Sequence, residues 1–316
     1  MQAKSWRAMA AFCVMAACAF PGTAVAHGKA GKRLFIEPLV TEDANPKNEL
    51  DFPVFEAVQT PDGHMLNFNY SIEKLLTPKF SVSFDNSFGS FTPNGSNATW
   101  GFGNIGFGAK YALYVNAPHE FIVSSGLHWE APTGNARIGA TQYNVLTPEL
   151  LYAKGFGDLP PKGIWKWLRP LAVQGDFTGD FAVGGAAAGR PGAVPNADAV
   201  LEYSIPYLNT YVRHQNEGFR LEGGSLRDGW SPKAIAGDLF PFAEFNFSWA
   251  SEPGGPRLRP EGFIRPGVVY MGHYFEIGGA AAFPSNRFTG HSVGAIAIFD
   301  LFIDDVIPKM NWLLNK

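Results

Sequence analysis

The sequence is almost without cysteine. Its two cysteines, Cys13 and Cys18, both lie within the first 26 residues. Beyond that stretch neither disulfides nor thiolate metal sites are available. Long apolar runs are also missing. After residue 26 no stretch reaches the ~18 apolar residues that a membrane helix needs. There is no basic excess either: 25 Lys and Arg stand against 28 Asp and Glu, a net charge of −3. That excludes binding to nucleic acid by phosphate neutralisation. Charge of any sign is scarce, at 17% of 316 residues, against the usual ~25%. In its place come aromatics, at 14%, with 36 Gly and 24 Pro. So much glycine and proline excludes a helical bundle. A near-neutral mean hydropathy excludes both a disordered chain and a bundle of membrane helices.

The first 26 residues have the order of a secretory signal. Lys4 and Arg7 form a basic start, Ala8 to Phe20 is apolar but short, and Ala24-Val25-Ala26 is a small-x-small cleavage site. Cleavage after Ala26 is expected, giving a mature chain that begins at His27. Lipidation at Cys18 is the weaker reading, because Met15-Ala16-Ala17 is a poor lipobox. Without Lys4 and Arg7 the basic count falls from 25 to 23 against 28 acidic residues, a net charge of −5.

Period-two alternation recurs along the rest of the chain. Leu66, Phe68, Tyr70 and Ile72 alternate with Asn67, Asn69, Ser71 and Glu73; Ile105, Phe107, Ala109, Tyr111 and Leu113 alternate with Gly106, Gly108 and Lys110. The same pattern appears over residues 80–85, 121–130, 171–177, 201–207 and 243–249. It is weaker over 146–153, which contains Pro148, and over 264–271. Residues 293–303 are apolar on both faces. Such alternation marks strands with one apolar and one polar face. About eleven strands of roughly ten residues follow residue 64, and one more within 33–58 makes an even twelve. That length spans a bilayer when tilted, and only a closed barrel satisfies every backbone group there. The expected fold class is all-β, a transmembrane antiparallel up-and-down barrel of about 12 strands.

Connections support this. Residues 74–78, 115–119 and 272–273 read as short turns, and 89–98, 131–144 and 181–198 as long polar loops, in the alternation of outer-membrane barrels. Two connections are too long for the rule: 208–236, and 155–169 with Trp165 and Trp167, where a short interfacial helix is expected. Aromatics near strand ends, among them Trp100, Trp129, Tyr143 and Trp249, fit two interfacial girdles. The soluble alternative is a β-sandwich with these rings in its core. It lacks any evident layer to cover so much aromatic surface.

Few motifs carry chemistry. Gly101-Phe102-Gly103-Asn104-Ile105-Gly106 matches the dinucleotide fingerprint, but a glycine-rich strand follows it instead of a helix, so it is rejected. The sequons at Asn94, Asn97 and Asn246 carry no weight in a bacterial outer-membrane setting. The seven histidines have no metal-ligand spacing. His128 beside Glu130 is a pair on the polar face, suited to hydrogen bonding within a lumen. No Ser/His couple at the outer wall emerges from spacing. No cofactor, metal or catalytic residue is expected.

The polar face carries the candidate lumen residues. They are Glu73, Asp85, Glu130, Glu149, Asp176, Glu202, Glu244 and Glu276, with Lys110, Arg265 and His128. An acidic lumen favours cations. The alternative is that some carboxylates sit at strand ends or pair with loop arginines.

An ordered set of motifs resembles a family of bacterial outer-membrane transporters associated with the meta-cleavage pathway of phenol degradation. They are Gly103-Asn104-Ile105-Gly106-Phe107-Gly108-Ala109-Lys110-Tyr111, Pro132-Thr133-Gly134, Pro148-Glu149-Leu150-Leu151-Tyr152-Ala153-Lys154, Glu202-Tyr203-Ser204-Ile205-Pro206-Tyr207-Leu208 and Pro241-Phe242-Ala243-Glu244-Phe245. The resemblance spans roughly residues 60–300. It implies a barrel in the outer membrane of a Gram-negative-type cell that passes small organic solutes, hydrophobic or aromatic compounds among them. It also implies outer-membrane lipid and the barrel-insertion machinery as partners. The final residues, Asn311 to Lys316, depart from the aromatic ending that this machinery reads. The last strand is therefore expected to end at Phe302, ahead of a tail of 304–316.

The expected organisation is a signal (1–26), an N-terminal segment (27–60) serving as first strand or lumen plug, the barrel (61–303) and the tail. The expected function is passive passage or uptake of a small solute, gated by loops or by the N-terminal segment, with small conductance. A closed structural or binding barrel is the second reading, and an outer-membrane lipid hydrolase the third.

Overall fold

The structure, a computed structural model, describes residues 29–184, 192–214, 232–251, 258–272 and 274–306. The expected signal, the charged part of the 208–236 connection (Arg220, Glu222, Arg227 and Asp228) with Trp230, and the tail beyond Val306 lie outside the described residues.

Twelve antiparallel wall strands form one closed barrel. A two-residue hairpin, β1 (Lys29–Ala30) and β2 (Arg33–Leu34), precedes them. The wall runs β3 (Glu49–Thr60), β4 (Gly63–Thr77), β5 (Phe80–Pro93), then β6 (Thr99–Phe102) and β7 (Ile105–Asn116). It continues with β8 (Phe121–Ala131), β9 (Asn144–Gly155), β10 (Leu171–Val183), β11 (Val194–Tyr203), β12 (Leu239–Ser251), β13 (Leu258–Met271), β14 (Phe275–Pro284) and β15 (Gly294–Phe302). β6 and β7 both pair with β5 and make one wall strand, interrupted at Gly103-Asn104. Each strand pairs with its sequence neighbour, and β15 pairs with β3 to close the ring. Closure leaves no edge strand unpaired.

The side-chain period of two sorts the wall into an apolar outside and a mixed inside. Phe107, Tyr111, Leu113, Leu127, Trp129, Leu150, Phe177 and Ile277 are exposed on the outer face. Glycines 106, 108 and 126 face inward, where a Cβ would strike Asp85, Ser83 and Glu149 respectively. Exposed rings on an outer wall are what lipid contact calls for. No helix among the described residues is long and apolar enough to cross a membrane.

Several element limits differ from the sequence reading. Residues 89–93 belong to β5 and residues 99–102 to β6, so that loop shrinks to 94–98. Gly89 is an inward position of β5 rather than a loop residue, and it sits too tightly on Asn67 for a side chain. β11 begins at Val194 and ends at Tyr203, whereas the alternation suggested a strand through Tyr207. Ile205–Tyr207 is instead a helical turn. Ser204 caps it by accepting the N–H of Tyr207, and Pro206 suits a first turn. The 155–169 connection carries a four-residue helix, Trp165–Leu168, with both tryptophans exposed.

The inner face of β15 is apolar for a packing reason. Ile296, Ile298 and Phe302 are buried with Val200, Phe240, Phe242, Val269 and Met271 against Leu34, Ile36 and Leu39 of the N-terminal segment. A second cluster joins Ala30, Phe35 and Ala44 to Ile122, Leu151, Ala153 and Ala172 on the facing wall. The half of the barrel that holds the start of β3 and the end of β15 therefore has a core like that of a globular domain, made of wall and segment together.

An arginine at Leu127, mid-strand on the outer face, is expected to destabilise the lipid-refolded protein by about 2–4 kcal/mol. Urea unfolding in vesicles measures this; a change within about 0.5 kcal/mol would mean that this face meets water.

Candidate functional site: the lumen and its N-terminal segment

Residues 35–48 cross the lumen without regular secondary structure. Pro38 and Pro46 lie within them and oppose strand pairing. Such a path leaves backbone N–H groups that need partners inside the barrel. Wall carboxylates supply them. Glu202 accepts the N–H of Ile36 at 3.2 Å, and Glu276 that of Glu37 at 3.0 Å. Glu244 accepts from Leu39 (3.2 Å), Val40 (3.0 Å) and Thr41 (2.6 Å), and from the Thr41 hydroxyl at 2.7 Å. Asp176 accepts the N–H of Glu42 at 3.0 Å, and Glu73 that of Lys47 at 3.1 Å.

Both ends of the segment are pinned. At its start, buried Arg33 donates to the carbonyls of Arg169 (2.5 Å), Pro170 (2.8 Å) and Leu171 (3.1 Å), and pairs with Glu120 at 3.4 Å. Its guanidinium lies 4.2 Å from the Tyr207 ring centre. Burial, and then the Glu120 charge, push the Tyr207 phenol well up. Beside this anchor, Asp158 is held below the usual carboxylate range. Burial opposes that shift, but hydrogen bonds from His119 and Lys154 outweigh it. At the other end, Asn48 accepts from the Lys74 ammonium and the Leu75 N–H, both at 2.8 Å. In between, Lys110 reaches Glu42 at 2.6 Å and Glu73 at 3.1 Å, and Lys47 contacts Glu37, Glu49 and Asp43.

Above the segment lies a cavity of about 1130 Å³. Glu37, Val40, Glu42 and Lys47 of the segment form its floor, and the loops after β3, β8 and β14 border its mouth. Twelve carboxylates line it against four basic side chains and His128. Phe91, Tyr143, Phe247, Phe263 and Phe288 add apolar surface.

The sequence-derived candidates divide between two places. Glu73, Asp85, Lys110, His128, Glu130, Glu149, Asp176 and Arg265 line the cavity. Glu202, Glu244 and Glu276 are buried beneath it, against the segment. His128 and Glu130 do not pair with each other. Each instead reaches across to a neighbouring strand or loop. His128 bonds Asp85 at 2.8 Å, and Glu130 accepts from Asn104 (2.7 Å) and Thr141 (3.0 Å). Arg265 pairs with Glu56 at 2.8 Å and donates to Asn246. The sequence reading missed Arg33, Glu120, Asp51 and Asp300. Asp51 and Asp300 share the inward phase of β3 and β15, but neither strand was assigned a polar face by alternation.

No family model and no curated protein sequence matches the chain. Solved structures do. The COG4313 outer membrane channel from Pseudomonas putida F1 has a TM-score of 0.54 at 11% identity, over 84% of this chain and 99% of that one. A KdgM porin has a TM-score of 0.42 at 11% identity, over 80% of this chain and 97% of that one. At such identity the first match speaks for the fold: a closed barrel of the outer-membrane channel type.

Glu244→Ala is expected to loosen the segment. A cysteine placed at Leu39, buried in the wild type, is predicted to react with a maleimide about tenfold faster or more in that background, since each charged hydrogen bond is worth about 1.5–3 kcal/mol. An unchanged rate would show that Glu244 does not hold the segment.

Proposed function

We propose that this protein is an outer-membrane channel for a small solute, stoppered from within by residues 33–48. The observation that carries the reading is the stacking of two parts in one barrel. A roomy acidic cavity lies toward the loops, and beneath it a segment is clamped by wall carboxylates. The cavity is of the size that takes a small organic molecule. Its carboxylates favour a cationic or hydrogen-bond-donating group, and its phenylalanines favour an apolar or aromatic body. This fits the small organic solutes, aromatic ones included, that the motif resemblance implies.

Passage requires the segment to shift, because apolar packing fills the barrel around it. The second reading, a closed binding barrel, draws on that same filling. The two readings part on one point: whether the wall encloses a continuous path once the segment is gone.

Planar-bilayer recording tests this. The intact protein is expected to be silent or to show small, infrequent steps. Deleting residues 33–46 is expected to give large, stable steps, with a reversal potential in a salt gradient shifted toward the cation equilibrium. Silence of the deletion variant, with heat-modifiable barrel mobility retained on gels, would overturn the channel reading. An anion-favouring potential would overturn the acidic-lumen reading alone.

A further inference from the structure

At the seam where the barrel closes, three inward carboxylates stand side by side on adjacent strands. In the register of the wall, Asp51 of β3 lies opposite Asp300 of β15, and Asp300 lies opposite Glu276 of β14. Like charges directly opposite one another on neighbouring strands are destabilising. Glu49 joins them from the same face of β3: one carboxylate oxygen each from Glu49, Asp51 and Asp300 falls within a 4.8 Å span.

The local cations do not balance this group. Lys47 is the nearby base, and it is already engaged with Glu37, Asp43 and Glu49. Ser71 donates to one oxygen of Asp51, and the N–H of Glu37 to one oxygen of Glu276. Asp51 Oδ1 and Glu276 Oε2 are buried without a hydrogen-bond partner. Asp300 is the sharpest case. It is 0% exposed, and neither of its oxygens has a hydrogen-bond donor. A buried carboxylate with no donor, and only a shared ammonium nearby, is strongly disfavoured as an anion. A single bulge in β3 at Phe52-Pro53, seen against both β15 and β4, lies on one side of the site and keeps Asp51 and Val54 both on the inner face.

We propose that the seam binds a divalent cation, with Asp300, Asp51 and Glu49 as ligands and calcium as the preferred ion. The donor set is all carboxylate oxygen, the chemistry that hard cations take, and calcium accepts such sets with irregular geometry and bidentate carboxylates. Asp51 also lines the large polar cavity, which would give the ion an entry path and water to complete its shell. A cation here turns the repulsion across the β3–β15 seam into a clasp between the first and last wall strands. It also sits beside Glu49, the residue at which the lumen segment becomes wall.

The test uses the purified full chain in detergent, free of lipopolysaccharide and stripped with EDTA. Calcium binding is read by isothermal titration, and thermal unfolding is followed with calcium, magnesium or sodium at matched ionic strength. One calcium site is expected, with a Kd on the order of 0.1–1 mM, the range of extracellular modules. The unfolding temperature is expected to rise with calcium and less with magnesium. Asp300→Asn and Asp51→Asn are expected to weaken binding by about tenfold or more and to abolish the rise. In EDTA, Asp300→Asn is expected to unfold at or above the wild-type temperature, because it removes a repulsive charge; this separates loss of the site from loss of the fold. Absence of calcium binding would overturn the proposal, as would calcium binding that Asp300→Asn leaves unchanged, which would place the ion among the cavity carboxylates. Neither result touches the channel reading, which conductance tests on its own.

Discussion

An irregular chain inside a barrel must find partners for its backbone donors, and the rest of this structure is arranged around that demand. The wall pairs its backbone groups strand to strand, so the segment draws on inward side chains. Carboxylates on five wall strands receive it: Glu202, Glu276, Glu244, Asp176 and Glu73. The carboxylates in turn need something to offset their burial, and the segment's N–H groups provide it. The match is partial on the acidic side: Asp176 Oδ1, Glu202 Oε1 and Glu276 Oε2 stay buried without a hydrogen-bond partner. The acidic inner face is therefore in good part a socket, and only its upper members look onto the open cavity.

Apolar packing and charge divide the barrel along its axis. Toward the start of β3 and the end of β15, Phe240, Ile296, Ile298 and Phe302 meet Leu34, Ile36 and Leu39, and the section is filled. Toward the loops, the inward residues are polar or charged and the section is open. A strand such as β15 crosses the filled zone. Its inner face is apolar because it faces other side chains there rather than water.

This division decided what was legible in the sequence. Alternation works where one face of a strand meets lipid and the other meets water or polar groups. β4, β7 and β8 cross such ground, and the phases of Glu73, Lys110 and His128 could be read from it. Alternation fails where the inner face also packs against apolar groups, as along β15, and Asp300 was overlooked there. It fails again where glycine lines a crowded inner wall, so that the upper part of β5 looked like a loop. Partners were the least legible feature. The spacing of His128 and Glu130 says that they share a face. It does not say that Asp85 and Asn104 reach them from other strands, because that depends on barrel register. The anchoring role of Arg33 was invisible for the same reason: its acceptors, the carbonyls of Arg169 to Leu171, are backbone groups more than a hundred residues away.

The clamps also constrain how such a barrel opens. One charged hydrogen bond, at about 1.5–3 kcal/mol, breaks often. A set of them acting together with two buried apolar clusters does not release by thermal fraying. Reversing a strongly closed equilibrium takes about 5.5 kcal/mol of preference for the open state. On the proposed channel reading, a solute in the cavity would meet Asp176 and Glu73, which hold the segment and also line the cavity. A donor group on that solute competes with the N–H groups of Glu42 and Lys47 for these same oxygens. The binding energy is then spent where the segment is held, at the floor, so solute entry and segment release draw on one set of carboxylates. An apolar body adds to the affinity through the phenylalanines at the mouth without touching the clamp. On the channel reading proposed above, the polar group of the solute would release the segment and the apolar part would bring the solute there.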